Sequence, residues 1–593
     1  MTQTCRRNFA RSPIVFPLLI AGLLVGSHSL FAQDCRTTFK VTKIEDTADG
    51  NCSTSDCSLR EAVIASNSCP GTNYIQLTEG DYLLTRRDSL SNSDEEYAKT
   101  GDLDIRGTTF VTGEAGREVW IDGGGRSRIF DVKGERFTLS NVSLRNGRSD
   151  ALGPNSRGQG GALRIGTESR VYVYNSRFLN NSAPEGYGGA IYSSAYVRLT
   201  GVTLSNNTAG GGGAFYAGYG STAYFDRVLA SENTALGGGT LMSAGYVSVL
   251  NSKFERNWAT EGVGGAIAGT ADLNVRNSVF LANSAKTKGG AIYYRSRDFL
   301  NPLYRLSVVH SVFTNNESTN GSGGAVSMNP GSVHDSLFEN NAAVAAYGGA
   351  LEGVSAIVNR SVFRNNSALS GGALQIYGTD VFSSAVYGNS ASERGGAIHS
   401  SGGVRILNST IDSNYAGVLG SAIAHELESL QIKNCTISDN GDGSSPAVWA
   451  SVFASAWIGH TAIKGAGPRC DFDGGIVSAG YNVEDGASCG LTTGSDRQNT
   501  TVALGALAGN DGPTVGSPYF SYTATLPSRL PLGVRNALVD RGADFANQTD
   551  DLGSDGCLKL DVRGLARPEG RACDIGAVEL EGLVSEPSPS SGT

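Results

Sequence analysis

The chain has 593 residues, far more than one ordinary core uses, so it is either several domains or one architecture extended by repetition. Its 80 glycines, 16 prolines and 39% hydrophobic content exclude collagen-like, linker-like and disordered polymers alike. With 17% charged residues and a net charge of -9, it offers no electrostatic footing for nucleic acid or an anionic membrane.

In chain order, Arg6, Arg7 and Arg11 precede an apolar run from Ile14 to Val25, and Leu30-Phe31-Ala32 precedes Gln33. This pattern predicts a signal peptide over 1–32, cut near Ala32, and export to the outside or the cell surface. No later stretch approaches the ~18 apolar residues of a membrane span. Export permits disulfides, and spacing predicts Cys52 with Cys57, Cys470 with Cys489 and Cys557 with Cys573, with Cys35 and Cys69 as a fourth pair. Cys435 is then left over, as a small residue packed inside. The spacing of Cys52 to Cys69 does not suit zinc, and no metal or cofactor is expected.

Residues 33–73 read as an N-terminal cap. CSLREAVIASN, from Cys57, is the best helical stretch, with Leu59, Ala62, Val63 and Ile64 as its apolar face. Strand-like segments over 74–158 follow as the first coils.

From 159 to 460 a repeat of about 25 residues dominates. Gly-Gly-Ala-apolar begins at Gly160, Gly188, Gly212, Gly264, Gly289, Gly323, Gly348, Gly371 and Gly395, with GGTL at Gly238 and decayed copies at Gly420 and Ser445. The long step after Gly289 predicts a loop near Asp298 to Tyr304. Upstream of each Gly-Gly lies an element such as NSRFLNNSA (175), NSVFLANSA (277) or RSVFRNNSA (360), an apolar residue three before an Asn. Alternating stretches such as YVRLTGVTL (196–204) have the period of strands. Short strands with Gly and Asn at fixed corners predict an all-β, right-handed parallel β-helix. Gly-Gly supplies a positive-φ corner, and Asn takes the left-handed conformation while its amide bonds along a ladder. Twelve anchors imply about eleven steps, roughly 50 Å of rod. Residues 461–580 are expected to be final coils and a disulfide-containing cap, and 581–593 a Ser/Pro tail.

Three motifs carry a family resemblance. Cys57-Ser58-Leu59-Arg60-Glu61-Ala62 resembles the signature of bacterial CSLREA-domain secreted proteins. NDGPT (510–514) and RGLARPEGRACDIGAVE (563–579) resemble the choice-of-anchor Q family. The GGAI and FxxN repeats are similar to those of chlamydial polymorphic outer membrane proteins. The resemblance implies a β-helix displayed or released by a bacterium, with adhesion or cell-envelope roles. Unlike autotransporter relatives, the chain shows no room for a membrane barrel after Tyr481, nor an apolar sorting tail after Leu580.

For chemistry, the residue after each Gly-Gly-Ala-apolar unit should point outward. The row reads Arg164, Tyr192, Tyr216, Met242, Ala268, Tyr293, Ser327, Glu352, Gln375, His399, Ala424 and Trp449. Tyr192, Tyr216 and Tyr293 are candidate glycan-stacking residues, although the same spacing also makes an ordinary cross-strand aromatic ladder. Glu352, Gln375 and His399, close to His425 and Glu426, form the candidate catalytic strip. No second acid in register with Glu352 and no Arg or Lys beside His399 is expected, which weakens that chemistry. The sequence therefore reads as a monomeric, exported, adhesin-like or envelope-associated protein without catalytic activity. Its expected partners are glycans or a host or envelope surface, and nucleic acid is not among them. A polysaccharide lyase or glycoside hydrolase is the alternative, and a structural spacer a third reading.

Overall fold

A computed structural model describes residues 35, 37–50, 52–86, 97–149, 158–297, 305–530, 538, 557–567 and 572–579. The expected signal segment, the loop near Asp298 to Tyr304 and the Ser/Pro tail lie outside the described residues.

The chain winds as an all-parallel β-solenoid of about 14 turns, about 26 residues per turn. One coil shows the plan: Ile191–Ser193, Tyr196–Thr200, Thr203–Ser205 and Thr208–Gly211 are four short strands. They feed four parallel sheets, called I to IV in that order, of 15, 17, 16 and 10 strands among the described residues. Sheet I thus extends past the eleven anchored steps into the coils expected on either side of them. Coils before Gly160 and after Ser445 keep the strand period but lack the Gly-Gly marker that the count relied on.

Side chains alternate in and out along each strand, and equivalent inward residues stack from coil to coil. Phe254, Phe280, Phe313, Phe338 and Phe363 form one such column, their ring centroids 4.7–5.0 Å apart and their planes within 12° of parallel.

The Asn of each repeat divides the expected role between two residues. In Asn-Asn pairs such as Asn315-Asn316 the first is left-handed, φ 55° for Asn315. The second is buried and builds the ladder. Asn316 Nδ2 donates to Asn341 Oδ1 and to the Phe280 carbonyl, both at 3.0 Å, and Asn316 Oδ1 accepts from Asn283 N at 3.0 Å. Successive side-chain links from Asn181 to Asn440 measure 2.9–3.1 Å. The left-handed place accepts Glu232, Arg256 and Ala282, because φ alone constrains it. The ladder place must both donate and accept, which an amide does.

A serine ladder runs beside it: Ser278 N donates to Ser311 Oγ at 3.3 Å, and Ser311 N to Ser336 Oγ at 3.2 Å. Cys435 occupies this column, fully buried, with Sγ 3.3 Å from the carbonyls of Ile406 and Lys433. Burial pushes its thiol up to about 12, so it is a packing residue and no nucleophile.

The helix α1, Leu59–Ser68, packs at the first coils. Ser58 Oγ accepts from Glu61 N at 3.2 Å while Glu61 Oε2 accepts from Ser58 N at 2.8 Å, a reciprocal capping box. Arg60 is buried, bonding Asp46 at 2.6 Å and the carbonyls of Ala98 and Gly101 at 2.8 and 2.9 Å. Every position of the CSLREA stretch is therefore structural. The buried face uses Ala65 and Ser66, whereas Ile64 is only half-buried, because the helix turns its 59, 62, 63 and 66 edge to the core.

Disulfides join Cys52 to Cys57, Cys470 to Cys489 and Cys557 to Cys573. A Cys35–Cys69 bridge is not formed: Cys69 is buried in the core cluster at the end of α1, and Cys35 is exposed.

After the last coils the chain doubles back along the outside of sheet III. Val515, Leu526, Val562, Ala577 and Val578 cover an outward stripe of Val279, Val312, Leu337, Val362 and Ala385. Gly516 N donates to the Asp335 carbonyl at 2.9 Å, Asn408 Nδ2 to the Leu560 carbonyl at 2.7 Å, and Ala577 N to Thr436 Oγ1 at 3.0 Å. In the preceding coils the same outward position is Arg177, Thr203, Leu229 and Lys253, and Leu229 there is 40% exposed.

Candidate functional site

The outward row of sheet I is continuous in register. Tyr192 pairs with Tyr216, Met242, Ala268 and Tyr293 follow on successive coils, then Ser327, Glu352, Gln375, His399, Ala424 and Trp449. Tyr192 and Tyr216 stack at 5.3 Å with planes 10° apart, and Tyr187 leans on Tyr216 at 4.6 Å. Burial, with Tyr192 and Tyr187 alongside, holds the Tyr216 hydroxyl above its ordinary value, so it stays a neutral donor at physiological pH. Tyr293 stands three coils beyond Tyr216, separated from it by Met242 and Ala268.

Glu352 is ion-paired: Lys288 Nζ and Ser327 Oγ both lie 2.6 Å from its oxygens. His399 Nδ1 is 2.7 Å from Gln375 Oε1 and its Nε2 is 3.1 Å from Glu426 Oε1. No Arg or Lys is expected beside His399, yet Arg394 shares Glu426 with it. Arg394 reaches Glu426 at 2.9 Å and lies 5.9 Å from the Trp449 ring centroid. Against the burial that opposes it, His399 and Arg394 hold the Glu426 carboxyl below its usual range.

Lys288, Arg394, Tyr187 and Tyr347 share one feature that the sequence displays: each immediately precedes a Gly-Gly. That position forms a second row, at the corner between sheets IV and I, leaning over the first. Tyr347 sits 6.2 Å from His399 across the same corner.

His425 does not join the strip. Ala424 occupies the outward row, so the pleat turns His425 inward, where it is fully buried with Nδ1 2.9 Å from Ser400 Oγ. Burial lowers it to about 4, and burial with Lys433 and Arg567 nearby lowers the buried His460 to about 3, both from 6.5. Unfolded imidazoles take up protons near 6.5, so the stability that depends on neutral histidine is complete above 6.5 and is lost as pH falls through about 4. The expected loss from His425 is on the order of 3 kcal/mol by pH 4. Denaturant midpoints at pH 7 and pH 4.5 should show a steeper decline for the wild type than for His425→Asn.

The row also begins earlier than expected. Asp104, Asp131 and Arg164 occupy it ahead of Tyr192. Lys133 Nζ lies 3.4 Å from Asp104 and 3.3 Å from Asp131, and Arg164 is 3.3 Å from Asp131. Burial, with Asp131 adding to it and Lys133 opposing, raises the Asp104 carboxyl to about 6. Both acids are buried, 1% and 2% exposed. LDI at 103 and FDV at 130 match the apolar-x-apolar pattern of LRI (163) and FYA (215), so strand pattern rather than Gly-Gly would have found them.

Compared with known proteins, residues 187–356 match the right-handed β-helix region family, and residues 175–194 match the Chlamydia polymorphic membrane protein repeat. No curated protein matches the chain. Among solved structures, the Azotobacter vinelandii mannuronan C-5 epimerase AlgE6 A-module aligns at 14% identity, covering 70% of this chain and 94% of its own, with a TM-score of 0.19. No helix of the described residues is long and apolar enough to cross a membrane.

Proposed function

We propose that the protein is an exported β-helix of the cell surface or envelope that recognises glycans on sheet I and does not cleave them. The polymorphic-membrane-protein repeat supports the surface placement, and the CSLREA and choice-of-anchor Q resemblances point the same way. The observation that carries the recognition is the Tyr187, Tyr192 and Tyr216 cluster, half-buried to exposed, with two rings stacked and a third set beside them. Half-buried tyrosine rings offer sugar a face and a hydroxyl at little entropic cost. The Glu352 and Glu426 carboxylates are already held by Lys288 and Arg394, as a structural ion pair holds them.

On a glycan array the chain from residue 33 onward should bind, and Tyr192→Ala with Tyr216→Ala should weaken binding at least tenfold without lowering the melting temperature by more than a few degrees. Binding of uncharged glycans that survives this double variant removes the reading. The alternative, a polysaccharide lyase or hydrolase, is favoured by one observation, the Asp104 and Asp131 pair with Asp104 raised to about 6. Its burial ranks it second. Product formation lost in Asp131→Asn would reverse that order.

A further inference from the structure

The outer face of sheet II carries an aromatic and cationic strip that the row on sheet I does not explain. Tyr74 and Phe110 stack at 5.1 Å. Tyr172, Tyr196, Tyr224 and Tyr246 continue the strip over successive coils, their centroids 5.7, 5.7 and 5.9 Å apart and planes tilted 45–54°. All four tyrosines are half-buried, so part of each remains in solvent. Arg136 bridges the two groups, 5.5 Å from the Phe110 centroid and 4.9 Å from that of Tyr172.

Charge makes the strip unusual. Arg136, Arg170 and Arg198 stand on three successive coils, in register with one another or with the tyrosines, and all three are exposed. None has an acidic partner within ion-pair distance among the described residues. Other arginines on the outer faces do: Arg145 with Asp122, Arg360 with Asp335, Arg364 with Glu339 and Arg405 with Asp380. Glu135 and Glu168 lie in the turns that lead into these strands and not on the sheet face. Asp226, on the far row, is occupied by Arg227 at 3.7 Å and Asn251 at 3.4 Å. Burial, with Tyr172 and Tyr224 nearby, holds the Tyr196 hydroxyl above its ordinary value, so it remains a donor.

We propose that this strip binds an extended acidic polysaccharide that carries one carboxylate per sugar. Adjacent coils are spaced about 4.8 Å apart, so the three guanidiniums present one positive charge per coil. A uronan offers its carboxylates at one per sugar and its ring faces to the tyrosines between them. Nucleic acid fits less well: duplex DNA bears a charge about every 1.7 Å, and three arginines do not offset that density on a chain of net charge -9. The site is separate from the tyrosines of sheet I and does not rest on their function.

The test is binding of the chain from residue 33 onward to three probes: polygalacturonate, its fully methyl-esterified form and a single-stranded oligonucleotide. Polygalacturonate should bind, weakening as salt is raised, and the ester should bind at least tenfold less tightly. The triple variant Arg136→Gln, Arg170→Gln, Arg198→Gln should lose at least tenfold in affinity, as should Tyr172→Ala with Tyr224→Ala. All these positions face outward, and melting curves superimposed on the wild type establish that the variants fold. No polygalacturonate binding, equal binding of the ester, tighter binding of the oligonucleotide, or binding that survives the arginine variant each overturns the proposal.

Discussion

Replacing Asn316 by Ala should cost about 4 kcal/mol or more, because it orphans groups on both neighbouring coils at once. Asn283 loses the acceptor for its backbone N–H and its side-chain amide, the Phe280 carbonyl loses a donor, and Asn341 Oδ1 loses a partner. All of these lie in the dry interior, where each unmet group costs roughly 1–3 kcal/mol. The preceding residue supplies the control. Asn315 is exposed and left-handed, so Asn315→Gly should leave stability unchanged or raise it slightly. Denaturant unfolding separates the two. In a solenoid each coil touches only its neighbours, so hydrogen exchange in the Asn316 variant should rise first in the coils flanking 283–341. Equal costs at 315 and 316 would show that the ladder is incidental.

Gly265→Ala should be at least as damaging, on the order of 4 kcal/mol or a failure to fold. A Cβ there would collide with the carbonyl oxygens of Gly290 and Ser284, both backbone atoms that the Gly-Gly corner of the next coil holds in place. The two glycines of each pair are thus required for different reasons. Gly264, the first, is at φ +68°, while Gly265 is the point of closest approach between coils. Gly237 is the matched control, since a Cβ there meets nothing within 4 Å, and Gly237→Ala should shift the melting temperature by a degree or two at most. If the Gly265 variant does not accumulate, the Gly237 and Gly290 variants compared in parallel still decide the point, because Gly290 meets the Gly324 carbonyl in the same way.

The fold was legible because it is written repeatedly. Gly-Gly-Ala-apolar fixes one corner, the Asn three after each Phe another, and the alternating stretch between them the strands. The outward row followed from that register alone, which is why Tyr192 and Tyr216 could be placed side by side. What escaped was whatever depends on contacts across a corner. Lys288 and Arg394 reach Glu352 and Glu426 from the position before Gly-Gly, which single-row counting passes over. Glu426 reaches the strip while its neighbour His425 does not, because one step along a strand reverses the face. Asp104 and Asp131 were missed because their coils lack the glycine marker. The apolar outward stripe from Val279 to Ala385 reads as extra core until the returning C-terminal segment covers it. The strip on sheet II mixes tyrosine and arginine at irregular intervals and emerges only when seven coils are stacked.

The claim that the protein recognises glycans without cutting them is tested most directly by incubating it with each glycan it retains and sizing the polymer afterwards. The account predicts retention with unchanged chain length and no unsaturated or reducing-end product over prolonged incubation. Shortened chains, produced by the wild type and absent with Asp131→Asn or Glu426→Gln, would contradict it and make the protein an enzyme.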